Sequence, residues 1–122
     1  MRMVKLLLAG LVTLVFAGCA TEKIPVEDPI VFTEYAKEIA VLRDPMLTSN
    51  SEEKFKAAEF IADNVDFSYT RNVATLDKLF LASEAATNGV EIVFQYAYQD
   101  RIIQFRFRRY DNIILFAEVV KK

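Results

Sequence analysis

The chain has no histidine, no tryptophan and a single cysteine. Without His there is no Ser-His-Asp triad, no Cys-His pair and no imidazole to hold a metal. One Cys permits no disulfide within the chain. The three glycines, Gly10, Gly18 and Gly89, are too few and too scattered for a loop that cradles phosphate. A net charge of −2 exerts no strong pull on nucleic acid. What is present is apolar: 53% of the 122 residues are hydrophobic, enough to build the packed core of one ordinary domain.

The apolar residues are unevenly placed. Arg2 and Lys5 precede a stretch from Leu6 to Gly18 that carries no charge. As a helix, that stretch would reach only about 20 Å, short of the roughly 30 Å of a bilayer's hydrocarbon core. A basic start, a short apolar run and small residues at the end describe a signal peptide rather than a membrane span. Phe16-Ala17-Gly18-Cys19 resembles the lipobox of bacterial lipoproteins, in which small residues precede the cysteine that becomes the lipidated N-terminus. The resemblance implies cleavage before Cys19 and acylation of its thiol. An ordinary secretory leader with an incidental cysteine is the blander alternative. In enterobacterial members of the class, a residue other than Asp after the cysteine directs the protein to the outer membrane, and Ala20 stands there. The resemblance therefore implies lipid attachment in the bacterial cell envelope, at the outer rather than the inner membrane. It covers only the targeting segment.

The expected organisation is a signal peptide at 1–18, a lipidated Cys19 with a polar, proline-containing tether at 19–29, and a single domain at 30–122. Residues 19–66 carry net charge −6 and residues 67–122 carry +2. Such asymmetry suits two halves that dock on each other, or two different surfaces. Within the domain, Asp28-Pro29 can start a helix over 30–43, with Phe32, Tyr35, Ala36, Ile39 and Leu42 at helical spacing. Ser49 with Glu52, or Asn50 with Glu53, has capping-box spacing ahead of a helix over 51–64, whose stripe is Phe55, Ala58, Ile61, Ala62 and Val65. Residues 65–70 alternate as a short strand, and 73–86 look helical, with Asn88-Gly89 as their stop.

Residues 90–122 alternate apolar and polar in three runs, as a β-meander does. Two-residue turns at Asp100-Arg101 and Asp111-Asn112 would set Tyr98 against Ile103, Tyr96 against Phe105 and Phe107 against Phe116, all on one aromatic face. That register also sets Glu118 against Phe105, where a carboxylate needs a partner. The other face would carry the rows Gln95-Arg106-Ala117 and Val93-Arg108-Leu115. It is more apolar than a solvated sheet face usually is, so a helix, a second copy or a partner protein is expected to cover it.

These patterns predict a two-layer α+β fold, with two to three helices packed on a three- or four-stranded antiparallel sheet, the fourth strand being 65–70. No catalytic residues, metal ligands or cofactor are expected. The pair Glu59 and Asp63, at i and i+4, reads as a solvated helix face rather than a glycosidase dyad. Arg101, Arg106, Arg108 and Arg109 form the one basic cluster. Matched arginines grip carboxylate or phosphate, but they also deter pairing at a sheet edge. The candidate interaction face is Gln95, Arg106, Arg108 and Leu115. The expected function is a membrane-anchored, non-catalytic protein-interaction module whose partner is another envelope protein or a second copy. The alternative is a small-ligand binder with a pocket between helices and sheet, rimmed by Tyr96 and Tyr98.

Overall fold

The computed structural model describes residues 22–68, 70–80, 86–88 and 90–122. The signal-peptide segment, Cys19, Tyr69 and residues 81–85 lie outside them. Helices Ile30–Glu34 (α1), Ala36–Leu42 (α2), Glu52–Asn64 (α3) and Val73–Leu79 (α4) form one layer. The other is an antiparallel meander of Ala86–Asn88 (β3), Glu91–Tyr98 (β4), Arg101–Tyr110 (β5) and Ile113–Lys121 (β6), in that spatial order. A separate parallel pair joins Ile24–Pro25 (β1) to Val65–Asp66 (β2). The α+β class and the helix-on-sheet layering match the expectation.

Side chains satisfy free N–H groups at the heads of α1, α3 and α4. Asp28 Oδ1 accepts from the Ile30 amide at 3.0 Å at the head of α1. Tyr35, at φ −106° and ψ 20°, divides the predicted 30–43 helix into α1 and α2. The Asp44 carboxylate takes the Met46 amide at 2.9 Å, turning the chain after α2. The cap of α3 is Ser51, whose hydroxyl accepts from the Lys54 amide at 3.2 Å, not Ser49 or Asn50. Its predicted stripe is buried throughout, with Phe55 at 2%, Ala58 at 0% and Ile61 at 0% exposure. On its solvent side Glu52 hydrogen-bonds Lys56 and raises that ammonium's pKa.

Three expectations are corrected. The stretch read as a tether joins the fold: Ile24 and Pro25 pair with β2, the Val26 amide donates to Asp66 O at 3.0 Å, and Val26 is fully buried. The segment 65–70 does not enter the meander, because after two strand residues the Asp66 carboxylate accepts from both the amide and the hydroxyl of Ser68 and turns the chain. The helix from Val73 ends at Leu79, not at 86. Phe80 is extended and stacks on Phe94 with ring centroids 4.3 Å apart, and the chain returns as β3, pairing Ala86 with Val93 and Asn88 with Glu91. The fourth strand is therefore 86–88.

The sheet registers also differ from the simple ones. The first tight turn is Gln99-Asp100, with Gln99 at φ 58°, so Tyr96 faces Ile103 and Phe94 faces Phe105. This is a shift by two residues, which leaves every side chain on its expected face. The second turn is Asp111-Asn112 as expected, both with positive φ as a type I′ turn requires. A β-bulge then follows. Arg109 pairs with Ile114, but Arg108 pairs with Phe116, so Leu115 is the extra residue. One inserted residue flips all that follows it. Ala117 and Val119 turn inward against Phe107 and Phe105, while Phe116 and Glu118 turn outward.

The core lies between the layers. Phe67, Phe80, Phe94, Phe105 and Phe107 are each at most 3% exposed and meet edge-on, tilted or stacked. The predicted charge asymmetry appears at the layer boundary. Glu59 and Asp63 of α3 meet Arg101 of β5 and Lys121 of β6, with Lys121 Nζ 2.9 Å from Asp63 and 3.7 Å from Glu59. The acidic and basic halves thus dock on each other.

Candidate interaction face

All contacts between rings of the helical layer and the sheet fall on the sheet's inner face, and no described helix covers its outer face. The outer face divides into two zones. Its middle is polar and internally paired. Arg106 Nη2 donates to Glu91 Oε2 at 2.9 Å, and Gln104 Nε2 donates to Gln95 Oε1 at 2.6 Å. Glu118 stands opposite Arg106 on β6. The carboxylate that the simple register set against Phe105 therefore faces a cation, which removes the burial problem.

The second zone, at the β5–β6 hairpin end, is apolar. Tyr110 is 65% exposed, Leu115 60%, Ile113 49% and Phe116 45%. Val90, 50% exposed, lies outside this zone, since its carbonyl accepts from the Arg109 amide at 2.8 Å and the register sets it on the inner-face side with Arg109. The Arg108 guanidinium lies over the Phe116 ring, 5.4 Å from its centroid.

The structure therefore separates the predicted site residues. Gln95 and Arg106 share the paired polar middle, Arg108 marks the boundary, and Leu115 belongs to the hairpin end instead of the Arg108 row. The four arginines do not act together. Arg101 stands on the inner-face side opposite Tyr98, pairs with Glu59 and lies 4.6 Å from the Phe55 ring centroid. Arg109 pairs with Ile114 on the inner side. Glu91, Tyr110 and Ile113 lie on this face as plain strand alternation from the sequence places them, while Phe116 and Glu118, expected on the aromatic face, are brought to it by the bulge. The one signal at Glu118 was that a carboxylate set against Phe105 needs an edge or a partner, and the bulge supplies Arg106 as that partner.

The expected pocket rim is not a rim. Tyr96 is 1% exposed, with its ring edge-on to Phe105 at 6.0 Å. Tyr98 is half-buried, 6.3 Å from Phe55. The aromatic side chains fill the space between the layers. An open groove of about 690 Å³ lies instead on the helical side, between α1–α2 and α4. Phe32 and Ile39 line it, and Arg43 Nη1 donates to Lys78 O at 3.0 Å beside it.

No protein-family model, curated protein or solved structure matches the chain.

Proposed function

We propose that the protein is an envelope lipoprotein, anchored through acyl chains on Cys19, that works without catalysis by docking another envelope protein on the outer face of its sheet. The observation that carries this reading is the segregation of the layers. Every described helix lies on one face, while the other carries a paired polar centre and an apolar end with four large side chains at 45% exposure or more. Monomeric proteins seldom leave such apolar clusters bare without use. The pairs Arg106–Glu91 and Gln104–Gln95 hold the polar centre in one geometry before any partner arrives, which reduces the entropy lost on docking.

The test is crosslinking in the native envelope. A photo-crosslinking residue at Gln95 is expected to give one discrete adduct, and one at Lys37 on the helical side none. Arg106→Glu with Arg108→Glu is expected to abolish that adduct while the domain still melts cooperatively. No adduct at Gln95, or one that survives the double charge reversal, would reject this surface.

A further inference from the structure

The chain joins the fold beside β6, and this placement carries a further inference, which rests on the lipoprotein reading. The chain enters the fold at Lys23, whose Nζ donates to Ala62 O at 3.2 Å. Lys23, Asp66 and Ser68 form one wall of a crevice, and Ala117, Glu118 and Val119 of β6 form the other. The polypeptide thus emerges beside the middle of β6. Only four peptide steps separate Lys23 from Cys19. Fully extended, four residues reach about 14 Å. A lipidated Cys19 therefore holds β6 within about one tether length of the headgroups.

β6 is also the strand that exposes Ile113, Leu115 and Phe116, with Tyr110 across the turn. Leu115 is two residues from Ala117, about 7 Å along the strand. The apolar end thus lies closer to the point of emergence than the tether is long. Arg108 and Arg109 flank it and Asp111 sits in the turn, giving this end a net charge of +1. Further along, Glu118 and the exposed Glu22 keep the middle of β6 polar.

We propose that the β5–β6 hairpin end seats its apolar side chains in the headgroup region of the bilayer that holds the anchor. The sheet then stands edge-on, with β6 lowest and the outer face turned sideways, so that the bilayer takes the apolar end and the paired polar centre around Gln95 and Arg106 is left to the protein partner. The contact combines buried apolar area with cations beside anionic headgroups, the pairing that binds interfacial segments. It also covers a nine-residue edge strand whose unpaired amides and carbonyls would otherwise invite pairing with another chain. Met46, 85% exposed in the loop after α2, belongs to the helical layer and stays in water.

The chain has no tryptophan, so single indoles report position cleanly. The full lipidated chain carrying Leu115→Trp or Met46→Trp is reconstituted into vesicles of phosphatidylcholine and phosphatidylglycerol, with and without brominated acyl chains. The mass of the N-terminal peptide reports acylation independently. The expected result is quenching of Leu115→Trp by roughly twofold or more, with Met46→Trp unaffected. An acylated protein whose Leu115→Trp is quenched no more than Met46→Trp overturns the inference and leaves the anchor intact. So does an indole at 115 that is shielded only when an envelope protein is added, since the hairpin end then belongs to that protein. A Cys19 without acyl groups overturns the inference and the lipoprotein reading together.

Discussion

Phe105 sits fully buried, with its ring 5.2 Å from Phe67, 5.0 Å from Phe80 and 6.0 Å from Tyr96. Phe105→Ala is expected to destabilise the domain by about 3–5 kcal/mol, read from denaturant melts, because so close a ring cluster cannot collapse into the cavity. The exposed ion pairs contribute far less. Arg101→Ala is expected to cost about 1 kcal/mol or less, mainly through lost cover over Phe55. At this scale the aromatic positions were legible, since period-2 spacing places Phe94, Tyr96, Phe105 and Phe107 on one face whichever of the two registers forms. Lys54 was not legible. A charged residue on an amphipathic helix belongs to the solvent side by pattern, yet Lys54 is fully buried. Phe60 is the converse, half-exposed on α3 and edge-on to Tyr35 at 5.6 Å.

Elements are decided by local chemistry that composes into longer-range order. The cap of α3 is one hydroxyl, and Ser51→Ala is expected to cost about 1 kcal/mol in the same melts. The first hairpin turn places a glutamine at φ 58°. Gln99→Gly is expected to stabilise by about 0.5 kcal/mol, the relief of about 1–2 kcal/mol being offset in part by glycine's larger backbone entropy. The bulge is the element the sequence concealed. Its extra residue, Leu115, has no partner on β5, so deleting it is expected to leave Val119 opposite Phe105 and Glu118 opposite Arg106. Cross-strand amide contacts by NMR read this directly; a flip of Glu118 to the inner face would contradict it. Helices α1 to α3 were legible because capping groups and apolar stripes coincide. The end of α4 and the role of 86–88 were not, because both depend on Phe80 leaving helical geometry to stack on Phe94 across the core. Nor was β1 legible. Two prolines in nine residues suggest a tether, but Pro25 occupies an edge strand, where its missing amide goes unneeded.

The whole molecule joins an acidic N-terminal half to a basic C-terminal half through Glu59, Asp63, Arg101 and Lys121. Among the described residues one face of the sheet is left bare, and the chain joins the fold beside the last strand. Among the described residues no helix is long and apolar enough to cross a membrane, so the proposed attachment rests on Cys19. Acyl chains contribute about 0.8 kcal/mol per buried CH₂, and two or more of them make attachment stable. The proposed function and the proposed orientation both descend from that one residue. The most direct test is membrane flotation of the full chain beside its Cys19→Ala variant, expressed in the native envelope. The proposal requires that the parent protein floats with membranes and that Cys19→Ala is released from them. A Cys19→Ala protein that floats as the parent does would contradict it.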